Sequence, residues 1–142
     1  MTRWATFGCY GTLIDWDAGI GTELERLFGD AGLLDRYHAV EPEVQREDPS
    51  RRYREVMALT LERIADVPAA EWDALAVSLP GWPAFPDAPD SLARLRERGW
   101  RLAILSNSDR DLIDASIEAL GVPFELPTLA ALPATLEELV PS

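Results

Sequence analysis

The stretch that decides the fold lies near the amino terminus and reads Trp4-Ala5-Thr6-Phe7-Gly8-Cys9-Tyr10-Gly11-Thr12-Leu13-Ile14-Asp15-Trp16. Its first four residues form a short β-prone run, and Gly8 and Gly11 then interrupt any regular strand. This pattern predicts a buried strand that ends in a tight loop. Ligands of open parallel sheets bind beyond the carboxyl ends of the strands, so residues 8–12 are a candidate site.

A second strand is predicted at residues 100–105, Trp100-Arg101-Leu102-Ala103-Ile104-Leu105, because a parallel strand covered on both faces is mostly apolar. Ser106-Asn107-Ser108 is its exit loop, and Val122-Pro123-Phe124 starts toward a third strand. Strands that alternate with helices in this order predict an α/β fold with right-handed parallel crossovers.

The other segments predict helices, each with an expected cap or inward face. The expected features are an N-cap at Thr22, a helix from Leu34 toward Val44 that starts, ends or bends at Pro42, an N-cap at Ser50, a helix with Trp72, Leu75, Ala76 and Leu79 inward, and N-caps at Asp90 and Asp109. Four prolines between residues 80 and 89 mark a stiff linker. We therefore expect a core of residues 1–18 and 81–142 that carries a helical insert at 19–80.

Composition narrows the classes of function. The chain has 142 residues, a formal charge of -12, one cysteine, one histidine and thirteen basic residues that are all arginine. The acidic surplus argues against nucleic-acid binding, the lone histidine argues against a histidine-centred metal site, and one cysteine cannot form an internal disulfide. The sequence also offers no membrane span or signal peptide. We expect a cytoplasmic protein without metal or cofactor.

The loops that follow the two predicted strands, and the segment between them, resemble parts of a known family in the same order along the chain. Phe7 to Trp16 is similar to the first motif of the HAD superfamily, with Gly8 where the family has its nucleophilic aspartate, and Leu105 to Arg110 is similar to the second. The helical insert lies where the family places its cap. The resemblance covers residues 1 to about 124 and implies an incomplete Rossmann-type parallel sheet with an inserted helical cap.

Tyr10 makes the resemblance closest to the type II, L-2-haloacid dehalogenase branch, since phosphatase members usually have a second aspartate at that position. In this branch the first aspartate attacks the halogen-bearing carbon and forms an ester that water hydrolyses. The resemblance implies catalytic or supporting positions at Gly8, Thr12, Ser106 and Asn107, and substrate contacts at Tyr10, Ser106 and Asn107. Arg36, His38 and Arg46 are the candidates for the halide-binding cap residue.

Two departures from the family pattern predict an inactive enzyme. Gly8 cannot form the ester, and Cys9, Asp15 and Asp17 are poor substitutes because of where they fall along the loop. The chain also lacks the family's lysine-bearing third motif and its fourth motif, which leads to the hypothesis of an internal deletion near residue 125.

Three functions remain open at this point. The first is hydrolytic dehalogenation of small 2-haloacids by ancestry, without turnover in this form. The second is a non-catalytic module that binds a small anion or a partner, and the third is a phosphatase-like hydrolase. The expected ligand is a small carboxylate-bearing substrate or anion. A homodimer through the exposed edge of the incomplete sheet is also expected.

Overall fold

The computed structural model describes residues 3–8, 10–104 and 109–124 of the chain. It is a mixed α/β structure, and its secondary-structure elements are named here in chain order. They are β1 (Arg3–Phe7), α1 (Trp16–Phe28), α2 (Leu33–Glu47), α3 (Tyr53–Ile64), α4 (Ala74–Ser78), α5 (Ala88–Glu97), β2 (Trp100–Ile104) and α6 (Arg110–Leu120), with short 3-10 turns at Ala69–Glu71 and Leu79–Gly81.

β1 and β2 pair in parallel, in a register that runs from Arg3 opposite Trp100 to Phe7 opposite Ile104. Within the described residues they form a two-stranded sheet. The predicted α/β class and both strands are thereby confirmed. Val122–Phe124 is irregular, and the third strand toward which it was expected to lead lies outside the described residues. Leu102, Ala103 and Ile104 are buried, as expected for a parallel strand under helices.

The loop that follows β1 and the proline-rich segment that precedes α5 are hydrogen-bonded to each other. The Asp15 N–H donates to the Pro83 carbonyl at 2.8 Å, and the Phe85 N–H donates to the Leu13 carbonyl at 3.0 Å. Ile14 also forms an isolated antiparallel bridge with Ala84. The proline-rich segment is therefore fixed against the end of the first loop, where its backbone polar groups are satisfied.

Several helix ends differ from the sequence prediction for local reasons. α1 begins six residues before Thr22, because Asp15 caps it by accepting from the Ala18 N–H at 3.1 Å, and the Thr22 hydroxyl donates to Ala18 within the helix. α2 runs through Pro42 without ending. The Ser50 hydroxyl donates to Asp48 instead of capping α3.

Two further expectations about helices are wrong. Trp72 is 43% exposed, although Leu75, Ala76 and Leu79 beside it are buried as predicted. The helix there is broken into short pieces, so a single 3.6-residue periodicity does not hold across residues 69–81. α5 begins before Asp90, which lies in its first turn rather than at the N-cap.

Candidate functional site

Gly8 lies directly after β1 and is exposed. A Cβ added there would meet only the Thr12 hydroxyl oxygen, at 3.7 Å, so the backbone leaves room for a side chain beside Thr12. The turn that brings Thr12 back requires Gly11, whose φ is +83° and whose N–H donates to the Ile14 carbonyl at 2.9 Å. The loop therefore has room for a side chain at position 8, next to the Thr12 hydroxyl.

Tyr10 joins this loop to two helices. Its ring stacks on Tyr53 of α3 at a centroid distance of 5.5 Å and meets the edge of Trp82 at 6.1 Å. Its hydroxyl shares a hydrogen bond of 3.2 Å with the buried Ser116 hydroxyl of α6. Stacked and edge-on rings stabilise beyond the area that they bury, so Tyr10 is held in one orientation two residues from Gly8.

The amino-terminal ends of α3 and α6 are joined by one carboxylate. Asp109 is the N-cap residue of α6 but makes no side-chain capping bond to its own helix. Its carboxylate instead accepts from the Arg54 backbone N–H at 3.2 Å and from Arg54 Nε at 2.8 Å. Arg54 also pairs with Asp111 at 2.5 Å, and this contact lowers the pKa of Asp111. Asp109 thus caps α3 from across the fold.

Three polar side chains, on α1 and α2, converge on Tyr53. Tyr37 and Glu41 lie on the buried face of α2, Tyr53 begins α3, and Trp16 begins α1. Within the described residues, Trp16 Nε1 and the Tyr37 hydroxyl are buried and make no hydrogen bond of ordinary geometry, although Trp16 interacts with the Tyr53 hydroxyl. Glu41 is 5% exposed and accepts a long bond of 3.4 Å from Gln45. We call Trp16, Tyr37, Glu41 and Tyr53 the buried polar cluster.

Burial dominates the protonation of this cluster. It raises the pKa of Glu41 to about 7, and interaction with the Tyr53 hydroxyl offsets only part of that rise. Burial also raises the pKa of Tyr37 and of Tyr53 well above the ordinary tyrosine value, and the nearby Glu41 carboxyl adds to both shifts. Both phenols therefore stay neutral, and Glu41 is largely neutral below pH 7.

The structure separates the three candidates for a halide-binding residue. His38 Nε2 lies 2.9 Å from Asp17 Oδ1, and its ring meets Trp16 edge-on at 4.6 Å, which places it beside the buried polar cluster. Arg36 is exposed. Arg46 lines a cavity of about 310 Å³, together with Arg51 and Tyr53.

The remaining predicted positions are accounted for as follows. Ser106, Asn107 and Cys9 lie outside the described residues. Asp15 and Asp17 are engaged elsewhere, as the cap of α1 and the partner of His38.

Groups of three or more potential metal ligands are absent from the described part of the chain. No helix within the described ranges has the length and hydropathy of a membrane span.

Sequence reasoning missed the buried polar cluster, although one signal for it was available. Tyr37, Glu41 and Val44 are spaced four and three residues apart, which puts Glu41 in the middle of the inward stripe of α2. Carboxyl groups are rarely buried without a partner, so a glutamate on an apolar stripe indicates a special site.

Comparisons with known proteins identify the family and the fold. A family model described as haloacid dehalogenase-like hydrolase matches residues 3–129, and no curated protein matches the chain. The L-2-haloacid dehalogenase from Xanthobacter autotrophicus, solved with chloropropionic acid covalently bound, has 24% identity and a TM-score of 0.66 over 93% of this chain and 58% of that one.

Two other solved structures are similar. An L-2-haloacid dehalogenase has 22% identity and a TM-score of 0.72 over 89% of this chain and 61% of that one. A defluorinating L-2-haloacid dehalogenase has 22% identity and a TM-score of 0.67 over 92% of this chain and 61% of that one. These similarities establish the fold, and the chain spans less than two thirds of the length of these relatives.

Proposed function

The chain belongs to the haloacid dehalogenase-like hydrolase family, and from that premise we propose that it has the scaffold of an enzyme for small 2-haloacids and binds small carboxylates without covalent turnover. The observation that carries this proposal is the exposed Gly8 at the end of β1, with room for a side chain beside Thr12. The loop geometry supports the ancestry, and the missing side chain argues against the activity.

The resembling chemistry needs a carboxylate at this position. There, a carboxylate oxygen attacks the halogen-bearing carbon, the carbon–halogen bond breaks, and the resulting ester is hydrolysed by water. Glycine supplies no oxygen for that bond. Asp15 and Asp17 are the nearest carboxylates along the chain, and their contacts with α1 and His38 hold them in other roles. Loss of a covalent nucleophile costs many orders of magnitude in turnover.

The phosphatase alternative has less support. Phosphatase members of the family usually have an acidic side chain at the position of Tyr10. In this chain the Tyr10 ring packs against Tyr53 and Trp82, and its hydroxyl is hydrogen-bonded to Ser116. An aspartate there would lose both ring contacts, so the packing around the loop favours the dehalogenase branch.

We assign residues 19–80 to a cap and the rest of the chain to the core, as the sequence pattern predicts. The stack of Tyr53 on Tyr10 and the Arg54–Asp109 contacts then join cap to core on either side of the site.

Calorimetry with 2-chloropropionate, followed by chloride measurement on the same sample, tests this proposal. We expect binding and no chloride release above the rate without protein. Chloride release at a rate typical of an enzyme would overturn the inactive part of the proposal. The absence of any binding heat, with a folded sample, would overturn the binding part.

A further inference from the structure

A cavity of about 310 Å³ lies where α2 ends and α3 begins, and Arg46 is one of its lining residues. The other lining residues belong to the carboxyl-terminal part of α2, the turn of residues 48–52 and the first turn of α3. Gly8, Tyr10 and Thr12, which form the candidate site after β1, do not line it. Small-molecule sites have volumes of roughly 300–1,000 Å³, so this cavity has the size for a small ligand.

One wall of the cavity is apolar. Tyr53 and Val56 are 7% and 3% exposed, so they form its buried floor. Pro42 and Pro49 line it on the exposed side. Contact between hydrocarbon and such a wall is favourable, because it removes apolar surface from water. A ligand with an apolar body therefore gains more from this cavity than a bare inorganic ion does.

The charged residues that line the cavity are Arg46, Arg51 and Asp48. The Asp48 carboxylate accepts from the Ser50 hydroxyl at 2.6 Å and from the Ser50 N–H at 3.0 Å, and these bonds lower its pKa. Asp48 is therefore ionised at neutral pH and offsets one of the two arginine charges. The lining keeps one net positive charge in a chain of formal charge -12, which favours a ligand with a single negative charge.

The two guanidinium groups have N–H donors that the described residues leave unused. Arg51 Nη1 donates to the Val44 carbonyl at 3.1 Å and lies 3.6 Å from Glu47, which is itself paired with Arg63. The Arg46 side chain makes no hydrogen bond or ion pair with another described residue. Each guanidinium has five N–H donors in a fixed fork that fits the oxygens of a carboxylate or a phosphate. The single net charge of the lining favours the monovalent carboxylate.

We propose that this cavity is a binding site for an organic monocarboxylate with an aromatic or branched apolar body. Arg46 and Arg51 donate to the carboxylate, and Tyr53 and Val56 contact the hydrocarbon part. The site is separate from the candidate site after β1, and it does not depend on the function proposed there.

Isothermal titration calorimetry with benzoate tests the site, with benzamide and inorganic phosphate as comparison ligands. Benzamide has the same ring without the charge, and phosphate has the charge without the ring. We expect benzoate to bind with a Kd of about 1 mM or tighter, and each comparison ligand to bind at least about tenfold more weakly. Absence of benzoate binding, or equal binding of benzamide, would overturn the proposal. Tighter binding of phosphate would contradict an organic ligand.

Two substitutions locate the bound benzoate. Arg46→Gln should weaken benzoate binding at least about tenfold, and the variant should stay folded because the side chain is exposed. Arg94→Gln is the matched control, since Arg94 is also an exposed arginine on a helix but does not line the cavity. It removes the same charge from the chain and should leave the affinity nearly unchanged. Equal losses in the two variants would contradict a site at Arg46.

Thr12→Val distinguishes the cavity from the candidate site after β1. We expect this variant to bind benzoate as the natural chain does. If Thr12→Val weakens benzoate binding and Arg46→Gln does not, benzoate binds at the loop, and the cavity proposal is wrong while the proposed function is supported. Failure of 2-chloropropionate to bind, with benzoate binding lost in Arg46→Gln alone, would overturn the proposed function and support the cavity site.

Discussion

At the scale of single residues, Glu41 makes stability depend on pH. Its pKa is about 7 in the folded chain and 4.5 as the ordinary value, so between these values the folded state binds more protons than the unfolded state. The contribution of Glu41 to the free energy of unfolding therefore falls as the pH rises from about 4.5 through 7. The carboxylates whose pKa is lowered, such as Glu47 and Asp111, act in the opposite direction at more acidic pH.

Glu41→Gln should remove this dependence. A rise in pKa of this size corresponds to about 3 kcal/mol as an upper bound, because each pKa unit is 1.36 kcal/mol. We expect the variant to gain stability over the natural chain at pH 8 and to gain little at pH 5. Urea denaturation of both chains at the two pH values measures this. An equal difference at both values would mean that Glu41 does not change its protonation on folding.

How far single residues could be predicted depends on whether their role is local. The loop positions Gly8, Tyr10 and Thr12 follow from a motif contiguous in sequence, and the structure brings Gly8 and Thr12 together. The partners of Tyr10 could not be predicted, because Tyr53 and Ser116 approach it only through tertiary packing. The same holds for the pKa of Glu41, which depends on burial that no local pattern specifies.

At the scale of elements, α1 is packed against Trp82 through Gly19. A Cβ at position 19 would lie 2.3 Å from the Trp82 ring, closer than any real contact. Gly19→Ala should therefore destabilise the fold by about 1–3 kcal/mol, as overpacked core substitutions do.

Gly21→Ala is the matched control, because it lies on the same helix and its added Cβ would be 4.0 Å from Leu34. That variant should be stabilised by about 0.5–1 kcal/mol, since alanine favours a helix interior over glycine. Thermal denaturation of both variants checks the pair. Equal shifts in the same direction would show that Trp82 does not pack on Gly19 as described.

The capping of α3 by Asp109 predicts coupling between distant segments. Asp109→Ala should cost about 1 kcal/mol, typical of a lost N-cap, although its own helix makes no use of that carboxylate. In a double-mutant cycle with Arg54→Met the two effects should not add, because the residues share contacts. The Arg63–Glu47 pair lies among the helices of residues 33–64. Its arginine is as exposed as Arg54, but its carboxylate is 44% exposed against 11% for Asp109, so this pair should show weaker coupling to stability. Additive effects for Arg54 and Asp109 would contradict the shared cap.

The order of elements was more predictable than their ends. Apolar runs predicted β1 and β2 because buried parallel strands are continuous in sequence. The N-caps at Thr22 and Ser50 were wrong because their hydroxyls bond within their own segments. The cap of α3 could not be found at all, since its carboxylate comes from 55 residues further along the chain.

At the scale of the whole molecule, the described sheet has two strands, and β1 is mostly half-buried rather than buried. Uncovered strand edges and apolar surface favour association between chains. We therefore expect a homodimer, with size-exclusion chromatography coupled to light scattering giving a mass that rises with concentration. A monodisperse monomer at all concentrations would contradict this expectation.

We propose that glycine at position 8 prevents turnover, because it supplies no carboxylate for the ester. The most direct test is chloride release from 2-chloropropionate by four chains: residues 1–142 as they stand, their Gly8→Asp variant, and each of these two fused to the carboxyl-terminal core segment of an L-2-haloacid dehalogenase. We predict chloride release only from the fused chain that carries Gly8→Asp. Release at an enzymatic rate by either chain that keeps glycine at position 8 would contradict the proposal.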